Sequence, residues 1–402
     1  MRSHPHKVEI IAMIAMLSAT IAFSIDAMLP ALPEIGQLMT PDDVNRAQFV
    51  VTSFVFGMGV GTLFTGPLSD RFGRRPIVLA GTLIYVVGAL WGAWSKTLEH
   101  LLLARLIQGI GSAGPRIVAM AILRDLYSGR EMARTISFVM IMFTLVPAIA
   151  PLLGAVLIAW NGWEAVFWSF AGFAILACIW FGLRMPETLA ISDRRPFTWE
   201  AIWAASVEMY KNPVVRWSVI AQGFCFAILF SMVSMVQPIY DDVFDRADSF
   251  PYWFGAIAVI AGASSFVNAA LVMRLGMRKL ITSILRAQLV FSVLILAAYF
   301  SNLSLDINFY FFVAWQATVF FQVGLTLGNL NAIAMEPMGH VAGLTASIMG
   351  ALATVIAVIL VAPISLSFNH TILPLVIGIL LYSALALVTM MAMARAELRN
   401  GI

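Results

Sequence analysis

Twelve long apolar runs separated by short polar segments set the pattern of this chain. They cover 9–31, 46–68, 76–95, 99–122, 134–159, 163–184, 214–238, 252–273, 280–300, 307–334, 342–366 and 372–394. A helix needs about 20 apolar residues to cross a bilayer, and each run reaches that scale. The pattern predicts an all-α membrane protein with twelve transmembrane helices. The longest polar stretch, Met185–Asn212, falls near the middle. It divides the chain into an N-terminal six-helix bundle (1–184), a linker (185–212) and a C-terminal six-helix bundle (213–402). Within the linker Trp199, Ile202, Trp203, Val207 and Tyr210 follow helical spacing, with Glu200 and Glu208 on other faces. This predicts a short amphipathic helix lying on the membrane surface.

Composition agrees with the pattern. Hydrophobic residues make up 61% of the chain and charged ones 11%, against about 25% charged in soluble domains. A single aqueous core cannot hide that excess. The net charge of +3 says little, but its placement says more. If the runs alternate in direction, the loop cations gather on one side, from Arg2, Lys7 and the Arg71–Arg75 cluster through Arg130, Arg134 and Arg195 to Arg399. Only Arg46, Lys96 and Arg246 fall on the other. Cationic loops stay cytoplasmic, so both termini are expected inside. The first run is longer than a signal peptide's apolar region of about 7–15 residues and no A-x-A site follows it, so it reads as a span. Cys178 and Cys225 both lie in apolar runs and read as small buried hydrophobes.

Between the second and third runs stands Gly66-Pro67-Leu68-Ser69-Asp70-Arg71-Phe72-Gly73-Arg74-Arg75-Pro76, read as a tight charged loop. Its Arg71-Phe72-Gly73-Arg74-Arg75 is echoed 203 residues later by Arg274-Leu275-Gly276-Met277-Arg278, at the matching point of the second half. Met273 stands there in place of Asp70. The echo predicts two six-helix pseudo-repeats.

A few charges lie inside the runs. Asp26 is late in the first, about 7 Å from its outer end at helical rise. A carboxylate in a span is costly and is expected to face protein or water and to act. It is the candidate proton carrier. Arg105, in the fourth run, lies about 9 Å below the same surface, so the two share a depth and are expected to pair, directly or through water. Arg116 follows by eleven residues, on nearly the same face and about 16 Å deeper. It reads either as a donor to an anionic or zwitterionic solute or as a group satisfied by carbonyls that Pro115 frees. Gln108, Gln222, Gln237, Gln316 and Asn329 are candidate substrate contacts, although amides also join helices. Gly57, Gly59, Gly61, Gly109, Gly111 and Gly114 permit close helix approach. Pro147, Pro151 and Gly154 share one face of the fifth run and predict a bend there.

Together these residues resemble a branch of the major facilitator superfamily, the bicyclomycin/chloramphenicol-resistance drug:proton antiporters. Gly66 to Pro76 is similar to the superfamily loop signature. Leu103 to Gly111, with Arg105, Gln108 and Gly111, resembles the fourth-helix signature linked to proton coupling. Arg124-Asp125-Leu126-Tyr127 also fits the branch, as does Asp26 followed by Leu29-Pro30-Ala31-Leu32-Pro33. Pro147 to Gly154 resembles the antiporter signature, with Ala150 and Ala155 where glycines are expected. The resemblance implies the major facilitator fold, a site between its halves near the midplane, and proton coupling through Asp26 and Arg105. It implies a cytoplasmic gate at Gly66, Asp70, Arg71, Gly73, Arg74 and Arg75, with Asp70 capping the eleventh helix near Gly339–Gly343. It implies export of small lipophilic or amphiphilic molecules such as antibiotics by alternating access, without a cofactor beyond the proton gradient. The expected partners are solute, protons and membrane lipid, with no nucleic acid. The expected form is a monomer in a bacterial inner membrane. Arg116 belongs to no part of that pattern.

Two other readings fit the same fold: proton-coupled uptake of a small anionic or zwitterionic solute, and a sensor without turnover. An enzyme fits poorly. His4, His6, His100, His340 and His370 lie at run ends or in loops, away from any nucleophile or metal-ligand spacing. No G-x-x-x-x-G-K-[ST] loop is present to hold ATP.

Overall fold

The structure is a computed structural model that describes residues 5–194, 196–301 and 303–400; Arg2, His4 and Arg195 lie outside the described residues. The side chains of Arg130 and Arg134 lie outside them too. The chain is helical throughout: α1 Lys7–Asp26, α2 Leu32–Met39, α3 Phe49–Phe72, α4 Arg74–Ala93, α5 Leu98–Leu126, α6 Gly129–Asn161 and α7 Glu164–Arg184. After the linker come α8 Trp199–Lys211, α9 Pro213–Pro238, α10 Phe250–Leu275, α11 Met277–Phe300, α12 Leu305–Met335, α13 Ala342–Leu366 and α14 Leu373–Asn400. Among the described residues eleven helical segments are long and apolar enough to cross a membrane, α1 and α2 forming one of them. The fifth run falls in α6, a 33-residue helix, which makes twelve long helical segments.

The chain divides into two compact units, Met1–Ala201 and Ile202–Ile402. In the first, α5 packs on α3, α4 and α1, α7 on α4 and α1, and α6 on α1. In the second, α12 packs on α10, α11 and α9, α14 on α11 and α9, and α13 on α9. These are the same six pairings with each helix replaced by its counterpart. The five-residue echo is thus part of a repeat that extends to the packing of whole helices. In the first unit Ile14, Leu17, Val78, Val118, Ile122 and Phe181 join α1, α4, α5 and α7 in one buried cluster.

Two expectations change on contact with the structure. The charged stretch 66–76 is mostly helix: α3 continues through Pro67 to Phe72, and α4 starts at Arg74. Gly73 alone makes the turn, at φ +103°, and Gly276 makes its counterpart at φ +77°. An L side chain is disfavoured at both. α6 remains a single helix through Pro147 and Pro151, which a bend without a break also allows. The linker helix forms, but its buried face is Ile202, Ala205 and Met209, while Trp199, Trp203 and Tyr210 are exposed.

Candidate functional site

Glycine lets α3, α4 and α5 approach closely enough for buried polar side chains to reach neighbouring backbones. A Cβ on Gly57 would collide with the Leu106 carbonyl, and one on Gly109 with the Phe54 carbonyl. Against this tight α3–α5 seam stands Arg105, fully buried. Its Nε donates to the Val50 carbonyl at 3.1 Å, Nη2 to the Ser24 carbonyl at 2.9 Å, and Nη1 to Gln108 Oε1 at 2.7 Å. The Phe54 ring lies 4.4 Å from the guanidinium carbon, with Phe167 and Phe170 at 5.8 Å. Ser24 is held in turn: its hydroxyl bonds the Tyr85 hydroxyl and donates to the Thr20 carbonyl at 2.7 Å. The cage draws on α1, α3, α4, α5 and α7.

Asp26 makes no direct ion pair with this cage among the described residues, so of the two arrangements expected from depth, direct or through water, the direct one is not formed. It ends α1, buried at 7% exposure, with no ion pair among the described residues. It lies two residues after the Ser24 carbonyl that binds Arg105. The next residue, Ala27, has its carbonyl against Gly154, where a Cβ would collide with it. Gly154 of α6 therefore meets the end of α1 at the residue after Asp26. None of the three acceptors of Arg105 is a titrating group, so the cage itself is indifferent to pH over the physiological range.

Arg116 is partly buried, and its polar contact among the described residues is Met58 Sδ at 3.3 Å. A thioether is a weak acceptor. The carbonyl that Pro115 releases belongs to Gly111, which is packed against Gly81 of α4. The guanidinium therefore has no strong acceptor among the described residues.

At the turn between α3 and α4 the charges form a network. Arg74 is buried; its Nη1 donates to Asp70 Oδ1 at 2.6 Å and Ser69 Oγ at 2.9 Å, and its Nε to Asp125 Oδ2 at 2.9 Å. The first amides of α4, on Arg74 and Arg75, donate to the Glu187 carboxylate at 2.8 and 3.1 Å. Glu187 caps α4 here, where the N-terminal partial charge favours an anion. A Cβ on Gly73 would come within 2.5 Å of Glu187 Oε2. Arg75 Nη2 reaches the Gly182 carbonyl at 2.5 Å, while Arg71 stacks on Phe72. Gly66 lies inside α3.

The amides expected at substrate are largely helix-to-helix contacts. Gln108 is fully buried and positions Arg105. Gln222 donates to Asn331 across α9 and α12 at 3.3 Å, and Asn329 to Asn268 across α12 and α10 at 2.7 Å. Gln316 accepts from Tyr240 at 3.0 Å. Gln237 is buried, with Oε1 unpartnered. The sequence reading missed Ser24, Tyr85 and Glu187 as structural partners. Ser24 lies in the stretch around Asp26 and Glu187 follows Pro186 just after the sixth run, but neither position carries a signal of its partner. Among the described residues no cluster of His, Cys, Asp or Glu suits a metal ion, and both cysteines are free.

The chain is 29% identical to a bicyclomycin resistance protein homolog from Haemophilus influenzae over 344 residues, 84% of each protein. It is 36% identical to a chloramphenicol resistance protein from Pseudomonas aeruginosa over 169 residues, 42% of this chain and 40% of that one. Among solved structures a D-xylose-proton symporter superposes with a TM-score of 0.78, covering 96% of this chain and 97% of that one at 13% identity. That last likeness is one of fold. Residues 11–362 match the Major Facilitator Superfamily, and with a repeated six-helix packing on both halves the chain belongs to that superfamily.

Proposed function

We propose that this chain is a secondary active exporter of small lipophilic or amphiphilic molecules, antibiotics among them, driven by protons moving inward. The relatives named for bicyclomycin and chloramphenicol resistance support the class of cargo. One observation carries the coupling: a buried acid with no ion pair among the described residues ends α1 two residues from the carbonyl that holds Arg105.

Protonation of Asp26 changes the charge at the end of α1. The Ser24 carbonyl lies within the last turn of that helix, so a shift there alters the strongest fixed charge nearby. The Arg105 cage is the element that responds, and the α6 face at Gly154 lets the end of α1 move against it. Proton release and cargo release then occur on opposite sides as the two states alternate in exposure. Arg116 offers a guanidinium to an acidic group on cargo. The Asp70–Arg74–Asp125 network with Glu187 serves as the inner latch, its Arg71, Arg74 and Arg75 on the cytoplasmic side. Both termini lie in the cytoplasm and the chain sits in a bacterial inner membrane as a monomer.

The test is direct. Everted vesicles carrying this chain and an imposed pH gradient are given amphenicols, quinolones or dyes. Loss of the gradient on substrate addition is the expected result. Substrate accumulation that proceeds equally without a gradient would refute proton-driven export. A strain stripped of its own pumps gains resistance on expression if cargo is an antibiotic.

A further inference from the structure

We propose that the loop-cation end of α11 forms a binding site for one anionic phospholipid, between α11 and α14. A cavity of about 250 Å³ lies there, lined on one side by Arg278, Lys279, Thr282, Ser283 and Arg286 and on the other by Met390, Met393 and Ala394. The site lies wholly inside the second unit and does not depend on the direction of transport.

Charge decides the ligand. Arg278 is already neutralised: its Nε donates to Glu397 Oε1 at 2.8 Å and its Nη2 lies 2.6 Å from the same atom. Lys279 and Arg286 have no carboxylate within salt-bridge distance among the described residues, and both are exposed. Two uncompensated cations therefore face one cavity. Depth decides the source of the anion. Arg286 lies nine residues into a membrane-crossing helix, about 14 Å along its axis. An exposed guanidinium at that depth either reaches back to the interface or draws an anion to itself. A lipid phosphate held between Lys279 and Arg286 meets both cations. Thr282 donates to the Arg278 carbonyl at 2.8 Å, and Ser283 is exposed in the same lining. The methionine wall of α14 offers an apolar surface to an acyl chain. Basic pockets between membrane helices suit lipid headgroups in this way.

The first half of the chain supplies a contrast. At the offset of the repeat, Thr282, Ser283 and Arg286 correspond to Leu79, Ala80 and Leu83 of α4. The cationic cavity is thus particular to α11 and not a consequence of the repeated fold.

Native mass spectrometry of the full chain, from mixed micelles with phosphatidylglycerol or phosphatidylcholine, counts bound lipid. The expected result is one retained phosphatidylglycerol that phosphatidylcholine does not replace. Lys279→Gln with Arg286→Gln weakens its retention roughly 30-fold, from the loss of two headgroup cations. Arg286→Lys keeps it, which shows that charge and not a damaged fold is being read. Lys211→Gln, a cation removed elsewhere, leaves the count unchanged. The proposal is overturned if the double variant retains the same lipid, or if phosphatidylcholine is held equally. It is overturned too if inorganic phosphate displaces the molecule, since the site is then one for the free ion, or if Lys211→Gln lowers the count as much.

Discussion

Replacing Asp26 with asparagine separates two accounts of the caged arginine. If the Asp26 carboxylate neutralised Arg105, Asp26→Asn would leave a buried guanidinium unpaired, at a cost of about 3–5 kcal/mol. The structure places all three Arg105 hydrogen bonds on the Val50 and Ser24 carbonyls and on Gln108. None is lost in the variant, and asparagine keeps the shape of the side chain. The expected cost is therefore under about 1 kcal/mol, the scale of one ordinary hydrogen bond. Arg105→Gln behaves differently. It removes three charge-assisted bonds of about 1.5–3 kcal/mol each, so several kcal/mol are lost. Thermal unfolding of the two purified variants measures the contrast. Everted vesicles supply the functional half: Asp26→Asn binds cargo but no longer dissipates a pH gradient when cargo is added. Its cargo exchange also becomes independent of pH, because the titrating group is gone. An Asp26→Asn protein destabilised as severely as Arg105→Gln would show that the carboxylate belongs to the cage. Undiminished proton-coupled export would remove Asp26 from the mechanism altogether.

Three further outcomes follow from the geometry. Glu187→Ala removes the acceptor for the first amides of α4 and should lower stability by about 0.5–2 kcal/mol, the range for a lost helix cap, as read by thermal unfolding. Gly109→Ala puts a methyl group into the Phe54 carbonyl; separating α3 from α5 should cost about 1–3 kcal/mol and reduce transport, whereas wild-type unfolding and activity would show that the seam tolerates a side chain. Arg116→Ala removes a guanidinium whose polar contact among the described residues is a thioether, so thermal stability should hold. Resistance to acidic compounds should fall while resistance to neutral amphenicols persists, and equal loss of both in a growth panel would count against an anion-binding role.

Much of the fold was legible because a bilayer imposes one rule on every span. Run length and loop charge mark where helices cross, and neither depends on knowing a neighbour. The repeat was visible in Arg71–Arg75 and Arg274–Arg278 because a turn of one residue needs glycine at a left-handed φ, and Gly73 and Gly276 provide it. The length of that turn was misread. Pro67 and the charges looked like a loop, yet α3 absorbs them, since Arg74 carries Asp70 and Asp125 together and allows both helices to continue.

The site was legible in its members and not in its bonds. Depth along two helices placed Asp26 and Arg105 at one level, and opposite charge at one level suggests a pair. Depth says nothing about rotation around the helix axis. Besides Gln108, the groups that reach Arg105 are the carbonyls of Ser24 and Val50, which every residue type possesses, so no letter of the sequence marks those two. The same reasoning covers Glu187, which caps α4 from 113 residues further along the chain. A backbone acceptor gives a buried cation a fixed partner that no proton can remove. A separate acid nearby is then free to titrate without dismantling the arginine's support. If carboxylate and arginine were joined, each protonation would unpair a buried charge. The division of labour proposed for Asp26 and Arg105 avoids that cost, and it is the physical reason to assign the proton to one residue and the fixed charge to the other.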